Sequence, residues 1–442
     1  MDIIVSKYGG SSITCKEDIE RIKKITEDDV RRKVIVVSAP GKRHEKGYEN
    51  DTKVTDMLIE LARTKDATLA NKIIDRYKSL WPENCTSLTD DLCKRMNGDI
   101  HDAAYMDALK AFGEEACAKV VAGALGACYI DPKDIFMTTN DFGNARILPE
   151  SEERTKERIR QCVGNGVVVI PGFYGYTRDG FIATLSRGGS DVTGAYIAAS
   201  LDALVYENFT DREGILAADP ALVDNPAKIE KITYKEIRDL AYSGFTIFHE
   251  DAMNHVERKF IPVHVRKTAS YPHKGTYIVH DRVSDVKRPL IGVAYQHGFC
   301  SFTIERFGLN GANLFTAIFD TFQQESVAVE FVNNAIDDIT IIVREENCKK
   351  THAISNVVKK LYAAIGTDSS IKFQEHLGCL VVAGKGLKGR RGISADIQST
   401  LADTDVNICF ISQGSQERSI IYGIASEDGK KAVNAVYDKY LR

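Results

Sequence analysis

Residues 185–195 of this chain read Leu-Ser-Arg-Gly-Gly-Ser-Asp-Val-Thr-Gly-Ala, and the predicted fold is organised around this stretch. It follows the apolar residues 167–173 and opens a helix-like run over residues 195–204. Because two glycines remove side chains where a helix begins, backbone N–H groups there can approach a phosphate or a carboxylate. Arg187 suits a carboxylate and Asp191 suits an ammonium group. The alternative is a tight strand-to-helix turn with surface charges.

A second glycine corner lies near the N-terminus, where residues 8–12 read Tyr-Gly-Gly-Ser-Ser. A short strand is predicted before it, over residues 3–7, and an amphipathic helix after it, from about residue 18 to residue 28. The apolar residues 34–37 predict a buried parallel strand, which completes a βαβ unit. Its glycine loop lies at the carboxyl end of a strand, where open α/β sheets bind ligands. Lys7 can reach a phosphate there, or it is an ordinary solvated lysine.

The N-terminal glycine loop carries neither the P-loop nor the Rossmann glycine pattern. Helix and strand patterns nevertheless alternate further, with a long helix predicted over residues 103–125. Four loops that follow predicted strands are expected to meet at one edge of one sheet, namely residues 7–12, 38–55, 185–195 and 210–220. Such convergence is what a site for a nucleotide and a small substrate requires. The basic run from Lys42 to Lys46 is either a solvated loop or a flap that screens phosphate charge.

The composition is that of an ordinary globular protein. The chain has 442 residues and a net charge of −4 with acids and bases interspersed, so nothing indicates nucleic acid or an anionic membrane as a partner. No apolar run approaches the roughly 20 residues that span a bilayer, and the first ten residues lack a signal-peptide layout. The ten cysteines form no C-x-x-C pair, which predicts reduced thiols, a cytoplasmic location and no zinc site.

Several motifs together resemble the aspartokinases. Residues 7–12 resemble the K-[FY]-G-G-[TS]-S opening of that family. The other matching segments, in chain order, are Val37-Ser38-Ala39, Val54-Thr55-Asp56, Phe112-Gly113-Glu114, Phe142-Gly143-Asn144-Ala145, Pro171-Gly172-Phe173, Arg187-Gly188-Gly189-Ser190-Asp191, Thr210-Asp211 with Gly214-Ile215, and Ala218-Asp219-Pro220. An ordered set of this kind is more specific than any one motif.

The resemblance implies the amino-acid kinase fold, an α/β fold with an open, mainly parallel sheet between helices. It implies the reaction L-aspartate + ATP → 4-phospho-L-aspartate + ADP, the first step towards lysine, threonine and methionine, with ATP and Mg²⁺ as cofactors and no metal held by the protein itself. Phosphoryl transfer asks mainly for positioning and charge neutralisation, so no general base is needed. The residues implied on the nucleotide side are Lys7 at the γ-phosphoryl, the N–H groups of Gly9, Gly10 and Ser11, and Thr210, Asp211 and Gly214.

On the substrate side, the resemblance implies that Arg187 pairs with the α-carboxylate of aspartate, while Glu114 and Asp191 take its ammonium group. Together with Lys7, Asp191 is expected to be essential for catalysis. Further hydrogen bonds to aspartate are implied for Ser38, Thr55 and Ser190. The alternative for Glu114 is a partly buried helix glutamate that is paired with a neighbouring lysine.

Three positions depart from the family pattern. Ser186 stands where glycine is typical, and Leu216 stands where tyrosine is typical. The motif G-A-K-V-[LI]-H-P appears as residues 244–250, Gly-Phe-Thr-Ile-Phe-His-Glu, so that Thr246 replaces a lysine that usually meets ATP phosphates. This leaves open a catalytically weak, amino-acid-sensing paralogue. An active kinase is expected, since the four charged residues assigned above to the substrates are all present.

The last part of the chain contains an internal repeat. Gly-Leu-Asn-Gly at residues 308–311 recurs as Gly-Leu-Lys-Gly at residues 386–389, and each copy predicts a βαββ unit. After an aspartokinase-like domain, tandem units resemble ACT regulatory domains of the α+β, ferredoxin-like class, which bind an amino acid and pair across subunits. The alternative is two structural subdomains without a ligand. We therefore predict a catalytic domain at residues 1–282, regulatory tandem ACT domains at 288–442, and a homodimer or homotetramer.

The first ACT unit is the predicted effector site. Asn310 lies in a turn that opens a helix, Glu330 lies on the strand across from it, and Asp338 follows. Acidic residues suit a diamino acid, so lysine, alone or with threonine, is the expected inhibitor; a merely solvated turn is the alternative. The other functions left open are a relative that phosphorylates glutamate, N-acetylglutamate, carbamate or a nucleoside monophosphate, and a non-catalytic amino-acid sensor.

Overall fold

The computed structural model describes residues 2–442 except residues 44–47, 49, 86, 100–101, 242–249, 286, 308, 310–313 and 350–352. The helices are α1 (Lys16–Glu27), α2 (Val54–Thr64), α3 (Ala67–Leu80), α4 (Leu88–Arg95), α5 (Ala103–Leu125), α6 (Ser151–Val163), α7 (Gly189–Ser200), α8 (Tyr234–Ala241), α9 (Glu250–Arg258), α10 (Leu314–Gln324), α11 (Glu345–Lys349), α12 (Ala353–Ile365), α13 (Ile393–Ala402) and α14 (Gly429–Tyr440).

The strands are β1 (Ile4–Tyr8), β2 (Arg32–Val37), β3 (Cys128–Tyr129), β4 (Met137–Thr138), β5 (Val168–Pro171), β6 (Tyr174–Thr177), β7 (Ile182–Thr184), β8 (Val205–Thr210), β9 (Ile215–Leu216), β10 (Lys228–Ile229), β11 (Lys231–Thr233), β12 (Val263–Lys267), β13 (Thr276–Val279), β14 (Gly292–Glu305), β15 (Val329–Asn334), β16 (Asp338–Arg344), β17 (Ser370–Ala383), β18 (Ile408–Gln413) and β19 (Ser419–Ala425). None of the described helices is both long and apolar enough to cross a membrane.

The chain forms two compact units. The first comprises Met1–Ile215, Glu230–Tyr234 and Ile247–Arg282, and the second comprises Leu216–Ile229, Lys235–Thr246 and Val283–Arg442. Two segments that precede residue 282, residues 216–229 and 235–246, thus belong to the second unit by their contacts.

The first unit is built on an eight-stranded sheet with the order β11-β13-β12-β8-β1-β2-β5-β3. Its central strands β8, β1, β2 and β5 pair in parallel, whereas β13 runs antiparallel to β12. Residues 4–8 are buried along all of β1, as expected for a parallel strand covered on both faces. The predicted α/β fold with a mainly parallel sheet is confirmed.

The two faces of β1 have different roles. Tyr8 packs into a helical core that includes residues of α1 to α5, together with Ile35 and Val37 of β2. Because successive side chains point to opposite faces of a strand, Lys7 faces the other side. There it pairs with Asp191 in the first turn of α7. The alternation of side chains along β1 therefore places the core residue Tyr8 on one face of the sheet and the charged Lys7 on the other.

The second unit is built on a six-stranded sheet with the order β15-β16-β14-β17-β19-β18. The predicted repeat is present as β14–α10–β15–β16 and β17–α13–β18–β19. Strands β14 and β17 are 14 residues long each and pair antiparallel, with register shifts on either side of Phe299. The β14 residues before the shifts pair with the part of β17 that also pairs with β19. The β14 residues after the shifts pair with β16 on their other side. The two long strands are thus shared by both repeats.

Candidate active site

A cavity of about 910 Å³ lies at the carboxyl ends of β1, β2 and β8 and at the start of α7. Most of the site residues predicted from the sequence line it, namely Lys7, Gly9, Gly10, Ser11, Ser38, Thr55, Glu114, Arg187, Ser190, Asp191, Thr210 and Asp211. Gly214 is not among the lining residues. It has a φ of +136°, and a Cβ there would lie 2.6 Å from Oγ1 of Thr276. Thr246 lies outside the described residues.

The N-terminal glycine loop is packed directly against a second backbone segment. A Cβ on Gly10 would lie 2.6 Å from the carbonyl oxygen of Ala39, and a Cβ on Gly41 would lie 2.6 Å from that of Gly10. The N–H of Gly41 donates to the Gly10 carbonyl at 2.8 Å. Nζ of Lys7 is 3.5 Å from the place where a Cβ on Gly9 would lie. The loop therefore presents bare backbone beside an ammonium group.

The glycine corner at α7 positions Asp191. Gly188 has a φ of +78° in the left-handed region and precedes the helix, which begins at Gly189. The N–H of Asp191 donates to the Gly188 carbonyl at 2.8 Å, so the residue lies in the first helical turn. A negative charge is favourable there because of the helix dipole.

Asp191 is held through one oxygen by two donors. Its Oδ1 lies 2.7 Å from Nζ of Lys7 and accepts a hydrogen bond from Nδ2 of Asn208 at 2.8 Å. Lys7 and Asn208 are directly opposite each other in the β1–β8 pairing. Sequence reasoning missed Asn208. The signal was a polar amide within the mostly buried strand β8.

Glu114 has a buried carboxyl group with unused hydrogen-bonding capacity. Its Oε1 accepts from the N–H of Ala39 at 3.1 Å, while its Oε2 is buried without a hydrogen-bond partner among the described residues. Burial raises the pKa of Glu114 to about 8, partly opposed by the Ala39 N–H and by the charge of Lys7. The neighbouring Glu115, not Glu114, pairs with Lys119 at 2.7 Å. Because buried polar atoms are normally satisfied, Oε2 is suited to a donor from a ligand.

Asp107 is a second residue that the sequence did not reveal. It is 1% exposed, and its Oδ2 accepts from the N–H groups of Gly143 and Thr184, each at 2.7 Å. Its Oδ1 lies 3.3 Å from Nζ of Lys110. Asp107 therefore ties α5, which carries Glu114, to two other segments of the cavity wall.

The remaining cavity residues are less constrained. Arg187 is exposed, and its guanidinium is available to a ligand. Thr210 donates from Oγ1 to Oδ1 of Asp211 at 2.9 Å at the end of β8. The cavity thus presents both cations and carboxylates, which fits a zwitterionic substrate beside a polyanion.

The predicted effector residues are not brought together. Oε1 of Glu330 lies 3.5 Å from Nε of Arg344, whereas Asp338 begins β16 opposite Glu305. Since Arg344 lies at the other end of β16, a distance of about 20 Å separates the two positions along the strand. Asn310 lies outside the described residues.

Comparisons with known proteins identify the family of this chain. The model of the amino acid kinase family matches residues 2–267. Aspartokinase 3 of Bacillus subtilis is 35% identical, with 99% of this chain and 98% of that protein covered. The chain belongs to the aspartokinase family. In this aspartokinase an ACT domain model also matches residues 380–440, which confirms an ACT region in the C-terminal part. The aspartokinase of Mycolicibacterium smegmatis is 28% identical over 100% of this chain and 96% of that protein.

Solved structures give the same family. The aspartate kinase of Clostridium acetobutylicum has a TM-score of 0.86 and 30% identity, with both chains fully covered. Aspartokinase III of E. coli, solved in complex with lysine and aspartate, has a TM-score of 0.76 at 20% identity and also covers both chains fully. The second likeness concerns the fold alone.

Proposed function

We propose that this aspartokinase transfers the γ-phosphoryl group of ATP to the β-carboxylate of L-aspartate. The observation that carries the proposal is the meeting, in one cavity, of Lys7, the bare backbone of the glycine loop and the carboxylates of Glu114 and Asp191. The ammonium group and the glycine loop suit a polyanion, and the carboxyl groups suit the ammonium of an amino acid.

On the nucleotide side, Lys7 and the N–H groups of Gly9 to Ser11 are proposed to hold the phosphates, with Thr210 and Asp211 at the border of the nucleotide. The residues present fit a phosphate because Gly9, Gly10 and Ser11 line the cavity beside the ammonium group of Lys7. Bound Mg²⁺ supplies charge neutralisation on the phosphates. In the described part of the chain no group of three metal-ligating side chains is present.

On the substrate side, Arg187 is proposed to pair with the α-carboxylate and Glu114 and Asp191 with the ammonium group, while Ser38, Thr55 and Ser190 donate hydrogen bonds. The β-carboxylate is ionised at neutral pH and needs no base. One of its oxygens bonds to the γ-phosphorus as the bond from that phosphorus to the bridging oxygen of ADP breaks. Negative charge on the transferring phosphoryl group is redistributed next to Lys7 during the reaction. A preorganised cation at that position stabilises the transition state.

The proposal is tested by coupled ADP release with a panel of acceptors, namely L-aspartate, L-glutamate, N-acetyl-L-glutamate, carbamate and UMP. We expect that, of these acceptors, only aspartate supports ADP release. The reaction should also form an acyl phosphate, which hydroxylamine traps as a hydroxamate. ADP formation with another acceptor in preference to aspartate would assign a different kinase activity. Amino-acid binding without any ADP would instead identify a sensor.

Asn208 is expected to support catalysis by holding Asp191. Asn208→Ala removes one donor from Oδ1 of Asp191, and we expect kcat to fall about tenfold, the effect of one lost hydrogen bond to a charged group. Asn208→Asp should cost more, because a second carboxylate would compete for Lys7 and repel Asp191. Steady-state kinetics would measure both. Asn140→Ala is the control, since Asn140 is an exposed residue outside the cavity. An aspartate variant as active as the alanine variant would argue against this role.

The ACT region is proposed to bind an inhibitory amino acid, with lysine first and threonine as a possible co-effector, in a homodimer or homotetramer of a cytoplasmic enzyme. Asp338 begins β16 opposite Glu305, the last residue of β14, and the Gly-Leu-Asn-Gly segment begins at residue 308 in the sequence. We expect Asp338→Lys to raise the lysine concentration for half inhibition about tenfold or more, because charge reversal opposes a second ammonium group. Glu330→Lys is the comparison, since Glu330 lies at the far end of the strand pair.

Lysine inhibition curves for the natural protein and both variants, with sedimentation velocity for the oligomer, check this. Asp338 does not line the cavity, so the uninhibited rate of Asp338→Lys should remain near normal. If both variants lost lysine sensitivity equally, the effector site would not lie specifically at the Asp338 end of the strand pair.

A further inference from the structure

The contact between Gly10 and Gly41 places a lysine beside the loop that is proposed to hold phosphate. The two glycine backbones approach so closely that neither position has room for a Cβ. Lys42 follows Gly41 directly, is exposed, and lines the same cavity as Lys7 and Gly10. Its position beside the loop is therefore set by backbone packing.

The next residue is fixed by a different set of contacts. Arg43 binds Asp51 through Nε at 3.2 Å and Nη2 at 2.9 Å, and its backbone N–H donates to Asp51 at 2.7 Å. Its guanidinium also lies 3.6 Å from the ring centre of Tyr48. Arg43 is thus occupied within the protein, and it anchors the segment just after Lys42.

The segment is anchored on its other side as well. The buried Arg76 donates from Nη2 to the carbonyl of Gly41 at 2.8 Å, and its Nη1 lies 3.5 Å from Asp51. Residues 41 and 43 are therefore both tied down. Lys42 between them makes no ion pair or hydrogen bond with any residue that the structure describes, so its ammonium group is available to a ligand.

Two other lysines that line the cavity are already paired with carboxylates, so a further, unpaired cation is needed to bind phosphate. Lys7 is already paired with Asp191 at 2.7 Å, which offsets part of its charge before a nucleotide binds. Lys110 is likewise paired with Asp107 at 3.3 Å. Lys53 also lines the cavity, but it lies at the start of α2 and does not follow a residue that packs directly on Gly10, as Lys42 does.

We propose that Lys42 binds the phosphates of the nucleotide and sets the affinity of the enzyme for ATP and ADP. The inference rests on the proposed kinase function, because it needs the glycine loop to hold phosphate. An ammonium group beside phosphate oxygens forms a charge-assisted hydrogen bond. Lys42 would thus act on nucleotide binding, whereas Glu114 and Arg187 act on aspartate.

The test compares Lys42→Ala, Lys42→Arg, Lys53→Ala and Lys78→Ala. Lys78 lies on α3 outside the cavity and serves as the matched control. ADP dissociation constants from titration calorimetry and the KM values for ATP and aspartate are measured for each. We expect Lys42→Ala to weaken ADP and raise the KM for ATP about tenfold, as for the loss of one charge-assisted contact. The KM for aspartate should stay within about twofold, and Lys42→Arg should recover most of the affinity, since charge is retained.

Three results would each overturn the proposal. Lys42→Ala could leave ADP binding unchanged, or it could raise mainly the KM for aspartate. Lys53→Ala could also weaken ADP binding more than Lys42→Ala does. These outcomes differ from a failure of the proposed function. If the natural protein binds ADP but forms none with aspartate, the activity assignment fails while the calorimetric comparison still decides the role of Lys42. If the natural protein binds no ADP, both proposals fail together.

Discussion

Replacing Lys7 with alanine is expected to lower kcat by about 10²–10³-fold, the usual cost of one preorganised contact to developing charge. Lys7 is 7% exposed and lies next to the glycine loop, so its ammonium group is held in place before the nucleotide binds. The loss should appear in kcat, because charge on the transferring phosphoryl group is redistributed during the reaction. Coupled ADP release at saturating ATP and aspartate measures it.

Lys33→Ala is the matched control, since Lys33 lies on the adjacent strand β2 but does not line the cavity. Circular dichroism should give the same spectrum for both variants and the natural protein. Near-normal turnover in Lys7→Ala, with the fold intact, would remove Lys7 from the catalytic step.

The second large effect is expected from Arg187→Ala and Glu114→Gln, which should raise the KM for aspartate by about 10-fold to 100-fold. Each removes a charged anchor, and a hydrogen bond to a charged group is worth about 1.5–3 kcal/mol. The KM for ATP should change much less, since both residues are proposed to bind aspartate and not the phosphates. Initial rates over a grid of both substrates separate the two constants. A rise confined to the KM for ATP would show that the two half-sites are reversed.

Glu114 also predicts a pH dependence with a definite sign. Burial raises its pKa to about 8, so at neutral pH the carboxyl group is mostly protonated in the free protein. Only the ionised form pairs with an ammonium group, and aspartate affinity should therefore rise as the pH increases through about 8, until the substrate ammonium itself deprotonates. Binding should release a proton, which calorimetry in buffers of different ionisation enthalpy detects. Glu114→Gln should abolish both effects; a persistent proton release would assign it to another group.

The carboxyl ends of parallel strands explain how much of the site could be predicted. Because β1, β2 and β8 run in the same direction, loops that are far apart in sequence meet at one edge of the sheet. The helix predicted over residues 103–125 has those bounds in the structure, since its helical pattern is long and Gly126 ends it. The helix predicted from residue 195 instead begins at Gly189 and ends at Ser200, because the glycine corner itself forms the first turn.

Other features depend on contacts that have no local signature. Asn208 and Asp107 acquire their partners across strands and between segments, at separations of 17 and 77 residues for their bonds to Asp191 and Thr184. The spacing of Glu330 and Asp338 suggested one acidic lining, but the strand reversal between β15 and β16 places them far apart. Sequence patterns fix which residues share a face, whereas pairing register decides which of them meet.

The long strands β14 and β17 have a consequence for how the second unit holds together. Each contributes one half to the sheet region next to β16 and the other half to the region next to β19. Each repeat therefore depends on the long strand of the other repeat. Removing one repeat would leave backbone groups of the other without their hydrogen-bonding partners. The two repeats should behave as a single cooperative foldon. A disturbance at one end of the sheet is then transmitted through continuous peptide backbone, without any linker that could absorb it.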